Sequence, residues 1–368
     1  METSWSEAGS WTPPATPAPA ELLRRAHRRR RWQFLVLALL LLAALLAAVA
    51  LGPMRISLAD IATIAIGQGT KVDSATRTVI GQIRLPRVAL AALIGAALAV
   101  SGASMQGLFR NPLADPGLIG ISAGAACGAV CVIVLGHHIL PSLPSWAAPY
   151  LLSAAAFIGC LAATLLMLRL SLHDGHPVVA TMLLAGVAIN ALASALTAFV
   201  IFLANDQQVR DVTFWLLGSL GAAQWSRVAI VAPVVLAGIA MMPFIARSLN
   251  GLLLGEAEAS HLGFNVRRTK WLVILLSTVM VGVSVAFAGV IGFVGLIVPH
   301  AIRLVSGPDH RFLLPASALL GATLLVTADI LARCVVAPAE LPIGILTALI
   351  GAPFFLWLLV RVKSVWQP

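Results

Sequence analysis

Asp329 is the only acid well inside an apolar run of this chain, and Arg333 follows it by one helical turn in "TADILARC". Two chemistries suit such an acid. Alone in an apolar span, it is the proton relay that an ion-coupled carrier needs. Four residues ahead of an arginine, it is placed for a local ion pair, and the spacing favours that pair. Other reactive groups are sparse. His137 and His138 are adjacent, so their side chains diverge and read as loop surface; no His-x-x-x-His metal pair occurs. Cys127, Cys131, Cys160 and Cys334 form no Cys-x-x-Cys, and Cys127 and Cys131, one turn apart, read as small packing residues. No serine, histidine and acid group into a hydrolase motif. A phosphate-binding loop needs Gly-Lys-Ser/Thr, and none of Lys71, Lys270 and Lys363 follows a glycine. With neither a catalytic constellation nor an ATP loop, the chain does not read as an enzyme.

The elements that must position these residues are long apolar runs. Of 368 residues, 60% are hydrophobic and 10% charged, with mean hydropathy +0.98; a soluble protein carries roughly 25% charged residues. A bilayer core takes about 20 apolar residues per helix. Runs at 33–51, 88–106, 117–136, 147–168, 178–203, 228–246, 271–288, 290–304, 313–332 and 343–360 predict an all-α polytopic membrane protein of about ten transmembrane helices. The eighth, "GVIGFVGLIVPHAIR", is short and glycine-rich, and reads as tilted, broken or partly inserted. Alternating segments of a β-barrel are absent.

Two domains follow: a tail, 1–31, and a single transmembrane domain, 32–363. The tail opens with a Pro/Ala/Ser/Thr-rich stretch that reads as disordered and ends in "RRAHRRRR", a basic flank held in the cytoplasm against the first span. With the N-terminus inside, sixteen of the 24 Lys and Arg residues fall inside and eight outside, as the positive-inside rule requires. The net charge of +10 thus reflects orientation in the membrane, not affinity for nucleic acid. Both termini are expected to be cytoplasmic.

Punctuation gives two more features. Ala91, Gly95, Ala99, Ala103 and Gly107 recur every fourth residue, a stripe that lets helices approach closely in lipid. "NGLLLGEAEASHLGF", 250–264, lies between the sixth and seventh spans on the cytoplasmic side. Leu252 to Leu254 read as continuing a short helix from the end of the sixth span, Gly255 as its break, Glu256 and Glu258 as the first turn of a second short helix, and Gly263 as its stop. Such a small-residue surface suits either a docking platform for a separate motor or an ordinary loop.

"IRLPRVALAALIGAALAVSGASMQGLFRNPLADPGLIGISAGAA", "LLLGEAEASHLG", "GVIGFVGLIVPHAIRL", "GPDHRFLLPASALLGA" and "APAELPIGILTALIGAPFFLWLL" together resemble the FecCD-type permeases of ATP-driven importers for iron–siderophore, haem and vitamin B12, over about residues 33–362. The resemblance implies a type II ABC importer permease fold, a homodimer with the pathway on its axis in the bacterial inner membrane, two ATP-hydrolysing subunits below that bind ATP and Mg, and a periplasmic binding protein above. It implies motor contact through Leu254, Gly255, Glu256, Ala257, Glu258, Ala259, Ser260, His261, Leu262 and Gly263, within coupling helices at about 248–264. It implies that Arg84 and Arg87, just outside span two, and Arg333, at the outer end of span nine, meet acids of the binding protein. No cofactor is expected on this chain. "ANDQQVRDVTFWLLGSL" is most similar to the haem importers, making haem the expected substrate and Arg210 its expected propionate contact on the pathway. The same machine carrying a ferric siderophore or a corrinoid, and a secondary transporter working alone, are the alternatives.

Overall fold

A computed structural model describes residues 19–54, 56–136, 144, 146–173 and 175–363. The order of elements is α1 (Pro19–Ala50), α2 (Leu58–Ala65), α3 (Ser74–Thr78), a π-helical turn (Val79–Arg84), α4 (Leu85–Leu108), α5 (Ile121–Leu135), α6 (Leu151–Ser171), β1 (Leu172–His173), β2 (His176–Pro177), α7 (Val179–Phe202), α8 (Asp206–Leu216), α9 (Trp225–Leu252), α10 (Glu256–His261), α11 (Val266–Ala288), α12 (Val294–Ser306), α13 (His310–Cys334) and α14 (Ile343–Lys363). β1 and β2 form a two-stranded antiparallel hairpin with Leu172 opposite Pro177. His137 and His138 lie outside the described residues.

Each of the ten expected spans is a helix. Seven helical segments are long and apolar enough to cross a membrane, and α5, α12 and the apolar part of α14 are shorter. The 13 residues of α12 rise about 20 Å, short of a hydrocarbon core of about 30 Å. Residues 290–293, expected at the head of that span, are not helical, and Phe293 has φ +68°.

Three boundaries differ from expectation. α1 takes in residues 19–31, which the sequence placed in a disordered tail; Glu, Leu, Ala and Arg there are all good helix formers, and residues 1–18 lie outside the described ones. Span two is the inner part of a continuous helical segment, Ser74–Leu108, so Arg84 and Arg87 stand inside a helix rather than just beyond one. Before Gly255 there is no separate short helix, because α9 runs unbroken through Leu252.

Polar contacts sort the connections onto two ends, as alternating spans require. One end joins the start of α1, the β1–β2 hairpin, α10 and the α12–α13 turn through Arg30–Asp309, Asn250–Asp309 and Glu256–Lys270. The other joins the end of α1, the start of α4 and the turns after α8 and α13 through Arg84–Val49, Trp225–Gly81 and Ile343–Gly218.

α4 is the centre of the bundle and is buried over most of its length. All five members of its small-residue stripe are buried. The stripe works by backbone contact: a Cβ at Gly95 would overlap the carbonyl oxygen of Gly321 on α13, and one at Gly321 would overlap that of Gly95. In lipid, where apolar side chains gain little by leaving their surroundings, such close backbone contact is what holds helices together.

Candidate functional site

The short helix α10, at the end of the bundle where α1 begins, is built by two glycines and one buried alanine. Gly255, with φ +131°, turns the chain sharply after α9, and Gly263, with φ +83°, ends the next turn; both values lie where L side chains are strained. Between them α10 lies on the bundle with Ala259 fully buried, while Ala257, Glu258, Ser260 and His261 face out and Leu254 and Leu262 are 67% and 61% exposed. Its underside is tied down. Lys270 on α11 lies 2.7 Å from Glu256 and donates to the Pro177 carbonyl at 2.8 Å, and the Phe264 ring closes over Gly251. Beside α10 opens a recess of about 590 Å³ lined in part by His176, Val179, Ala257 and Arg267. The expected segment is therefore a firmly seated projection with an exposed apolar and acidic rim.

Behind it, Asp309 caps the start of α13 through the Arg311 N–H at 3.1 Å, and accepts from Arg30 at 2.8 Å and from Asn250 at 2.8 Å. Burial opposes ionisation of Asp309, but Asn250, the Arg311 N–H and Arg30 outweigh it and hold the carboxyl below its ordinary range. Asn250 also receives the His310 N–H at 2.8 Å. One side-chain cluster thus joins α1 and α13 to the last turn of α9, five residues before Gly255. The sequence carried a signal for it: an aspartate after Gly-Pro is a good helix cap.

The three arginines expected to meet the binding protein are not free cations. The sequence led to an expectation of exposed groups, but Arg84, Arg87 and Arg333 are 3%, 6% and 3% exposed. Arg84 donates to the carbonyls of Val49 at 2.5 Å and Ala50 at 2.9 Å, and to that of Met54. Arg333 donates to Ala48 O at 3.1 Å and Leu51 O at 3.3 Å. The last carbonyls of a helix have no intrahelical partner, and here two guanidinium groups from other helices supply it for α1. Arg87 lies 2.9 Å from Asp329 and 2.8 Å from Glu340. Arg333 lies 3.0 Å from the other Asp329 oxygen, which makes the local pair, favoured over a proton relay, part of a larger cluster. Glu340 in "APAELPIG" is the member that sequence reading missed.

Arg210 sits on α8, exposed, and donates to Gln207 at 2.9 Å. Neither Asp206 nor Asp211 pairs with it among the described residues; Asp211 accepts from Gln207 instead. α8 is set by a capping box in which Asn205 and Gln208 each receive the other's backbone N–H. After α8 the chain meets the start of α14: Ile343 N–H bonds Gly218 O and Gly344 N–H bonds Leu217 O, at 3.1 and 3.0 Å. The adjoining apolar hollow includes Leu217, Phe293, Ile345 and Leu349.

A bundle of ten apolar helices, braced at one end and carrying a short projecting helix at the other, defines a polytopic membrane protein. Residues 39–361 match the FecCD transport family, and the chain belongs to it. It is 52% identical over 282 residues to the hemin transport system permease protein of Yersinia pestis, covering 77% of this chain and 83% of that one. It is 46% identical over 288 residues to the cobalamin import system permease protein of Halobacterium salinarum, 78% and 75% of the two chains. Against the vitamin B12 import system permease protein of Klebsiella pneumoniae the identity is 41% over 353 residues, 93% and 98% of the two. A solved structure described as a metal-chelate type ABC transporter in an inward-facing conformation superposes with TM-score 0.78 at 33% identity, covering 89% of this chain and 98% of that one. The protein is a permease of an ABC importer of the FecCD type.

Proposed function

We propose that this permease carries haem from a periplasmic binding protein across the bacterial inner membrane. It does so as a homodimer on two ATPase subunits, which bind the ATP and Mg, and with both of its own termini cytoplasmic. The observation that carries the substrate is the 52% identity to the hemin permease, set against 46% and 41% to the cobalamin and vitamin B12 permeases. Haem is a flat apolar disc with two carboxylates on one edge. An apolar pathway lets it pass without tight binding, and one exposed Arg210 from each protomer matches the two propionates. The segment Leu254 to Gly263 is the docking surface for the motor. Its exposed rim meets the partner while Ala259 and the Glu256–Lys270 pair hold it to the bundle. Apolar residues left bare on α7, among them Leu184, Phe199 and Phe202 at 72%, 62% and 83% exposure, provide surface for the second copy or for lipid.

The corrinoid permeases align over more of this chain than the hemin permease does, which gives a corrinoid the second reading. Uptake into proteoliposomes holding the full complex, with haem, a ferric siderophore and cobalamin compared, decides between them. Haem uptake that depends on ATP and exceeds the other two is the expected result. Preference for cobalamin or the siderophore overturns the haem reading.

A further inference from the structure

We propose that the inner ends of α1, α12 and α13 form a binding site for an anionic phospholipid. A groove of about 420 Å³ runs between these helices. Its walls are apolar, with Trp32, Val36 and Leu37 of α1 facing Val305 of α12 and Leu320 of α13, and Arg29 stands at its mouth. Ile302, at the floor, is 6% exposed. The shape and lining suit an acyl chain lying along the helices.

Charge selects the headgroup. Arg28, Arg29 and Arg31 are exposed within one turn of α1, with Arg29 at the groove's mouth and the other two adding positive charge on the neighbouring faces, and none has a carboxylate partner among the described residues. The neighbouring Arg30 behaves differently. It is committed to Asp309 at 2.8 Å and lies over the Phe312 ring, which fixes the rotation of α1 about its axis. Arg29 is oriented too, because its guanidinium donates to the Val305 carbonyl at 2.9 Å, leaving its other N–H groups for a phosphate. Gln33 and Ser306, 3.1 Å apart, close the polar rim. Trp32 is 58% exposed at the same level, where tryptophan favours the headgroup region.

Lipid is the occupant because of where the groove lies. α1 is the least buried of the seven long spans, with 17% of its apolar window covered by the rest of the chain, so its outer face meets the bilayer. Basic pockets between helices near the cytoplasmic side hold anionic headgroups, and each arginine near the surface adds to the attraction. The inference stands on the membrane spans and this groove, and is independent of the transported substrate.

The test is native mass spectrometry of the purified chain in detergent, titrated with phosphatidylglycerol or with phosphatidylcholine. The wild type should retain phosphatidylglycerol about tenfold better than phosphatidylcholine. Replacing the charges together, Arg28→Gln, Arg29→Gln and Arg31→Gln, should remove that preference. Val36→Trp fills the groove without touching a charge, and should lower retention of phosphatidylglycerol while helical circular dichroism stays that of the wild type. Equal retention of the two lipids by the wild type overturns the proposal, as does undiminished retention by Val36→Trp. A dimer lost in Val36→Trp with lipid retention unchanged puts a second copy of the chain in the groove and overturns it as well.

Discussion

Arg87 and Asp329 meet at 2.9 Å across the interface of α4 and α13, 242 residues apart in the chain. The same carboxylate faces Arg333 at 3.0 Å, so one acid that is 1% exposed balances two buried guanidinium groups, and Glu340 shares the load on Arg87. The arrangement stabilises by completeness, since breaking a buried pair strands charge in a medium that cannot solvate it.

Asp329→Asn should therefore cost about 3–5 kcal/mol of stability by leaving two arginines short of countercharge. Glu340, whose side chain is 40% exposed, should matter less, and Glu340→Gln should cost under about 1 kcal/mol. Thermal unfolding in detergent, followed by helical circular dichroism, ranks the two. Equal stability of Asp329→Asn and wild type sinks the account.

Arg84 caps α1 from inside the protein, so Arg84→Ala should destabilise the chain by about 1–3 kcal/mol with no binding protein present, through unsatisfied carbonyls. Docking of the binding protein should weaken with it and in proportion. If docking is lost while the melting temperature is unchanged, Arg84 acts outward and the capping role is secondary.

Bulk or reversed charge on α10 should uncouple hydrolysis from transport. Ala257→Trp and Glu258→Arg alter exposed positions, so insertion and helix content should stay normal while uptake per ATP falls severalfold. Lys270→Met differs by loosening the seat of α10, and should lower stability as well as coupling. Unchanged uptake in both exposed variants removes the segment from the mechanism.

Arg210→Ala should lower haem uptake severalfold or more, because a charge-assisted contact is worth roughly 1.5–3 kcal/mol; ATPase activity should stay near normal. Arg210→Lys should recover only part, since lysine lacks the planar two-pronged donor. Wild-type uptake by Arg210→Ala excludes it as the propionate contact.

Asp309→Asn should release Arg30 and weaken the link between α1 and α9, lowering the melting temperature at neutral pH. The sign of the pH effect follows from the depressed carboxyl. Its stabilisation is present above the ordinary aspartate value of about 3.9 and is lost as pH falls through the lower value of the folded state. Wild type and variant should therefore differ at pH 7, with the gap starting to close only as pH falls below about 4. A constant difference across that range assigns the effect elsewhere.

The sequence made local features readable and long-range ones unreadable. The period-four stripe around Gly95 needed only helix geometry, and the stop at Gly263 only the backbone preference of glycine. The shortness of α12 was visible in "GVIGFVGL". The capping box of Asn205 and Gln208 was equally local and was overlooked, so α8, the helix that carries Arg210, was not foreseen. The fate of Arg84 was a different matter. Its acceptors are the carbonyls of Val49 and Ala50, groups every residue carries, and nothing in residue types marks them as partners. Glu340 and Arg87 are separated by 253 positions, beyond any spacing rule.

The contact of Gly95 with Gly321 has a mechanical consequence. Two helices touching backbone to backbone are keyed: an axial slip of one residue, about 1.5 Å, brings a side chain to a place that admits only hydrogen. α4 and α13 therefore form a single strut, and any motion that opens and closes a route through the membrane must pivot around it. A pair of labels, one on each helix, would keep a fixed separation throughout the transport cycle.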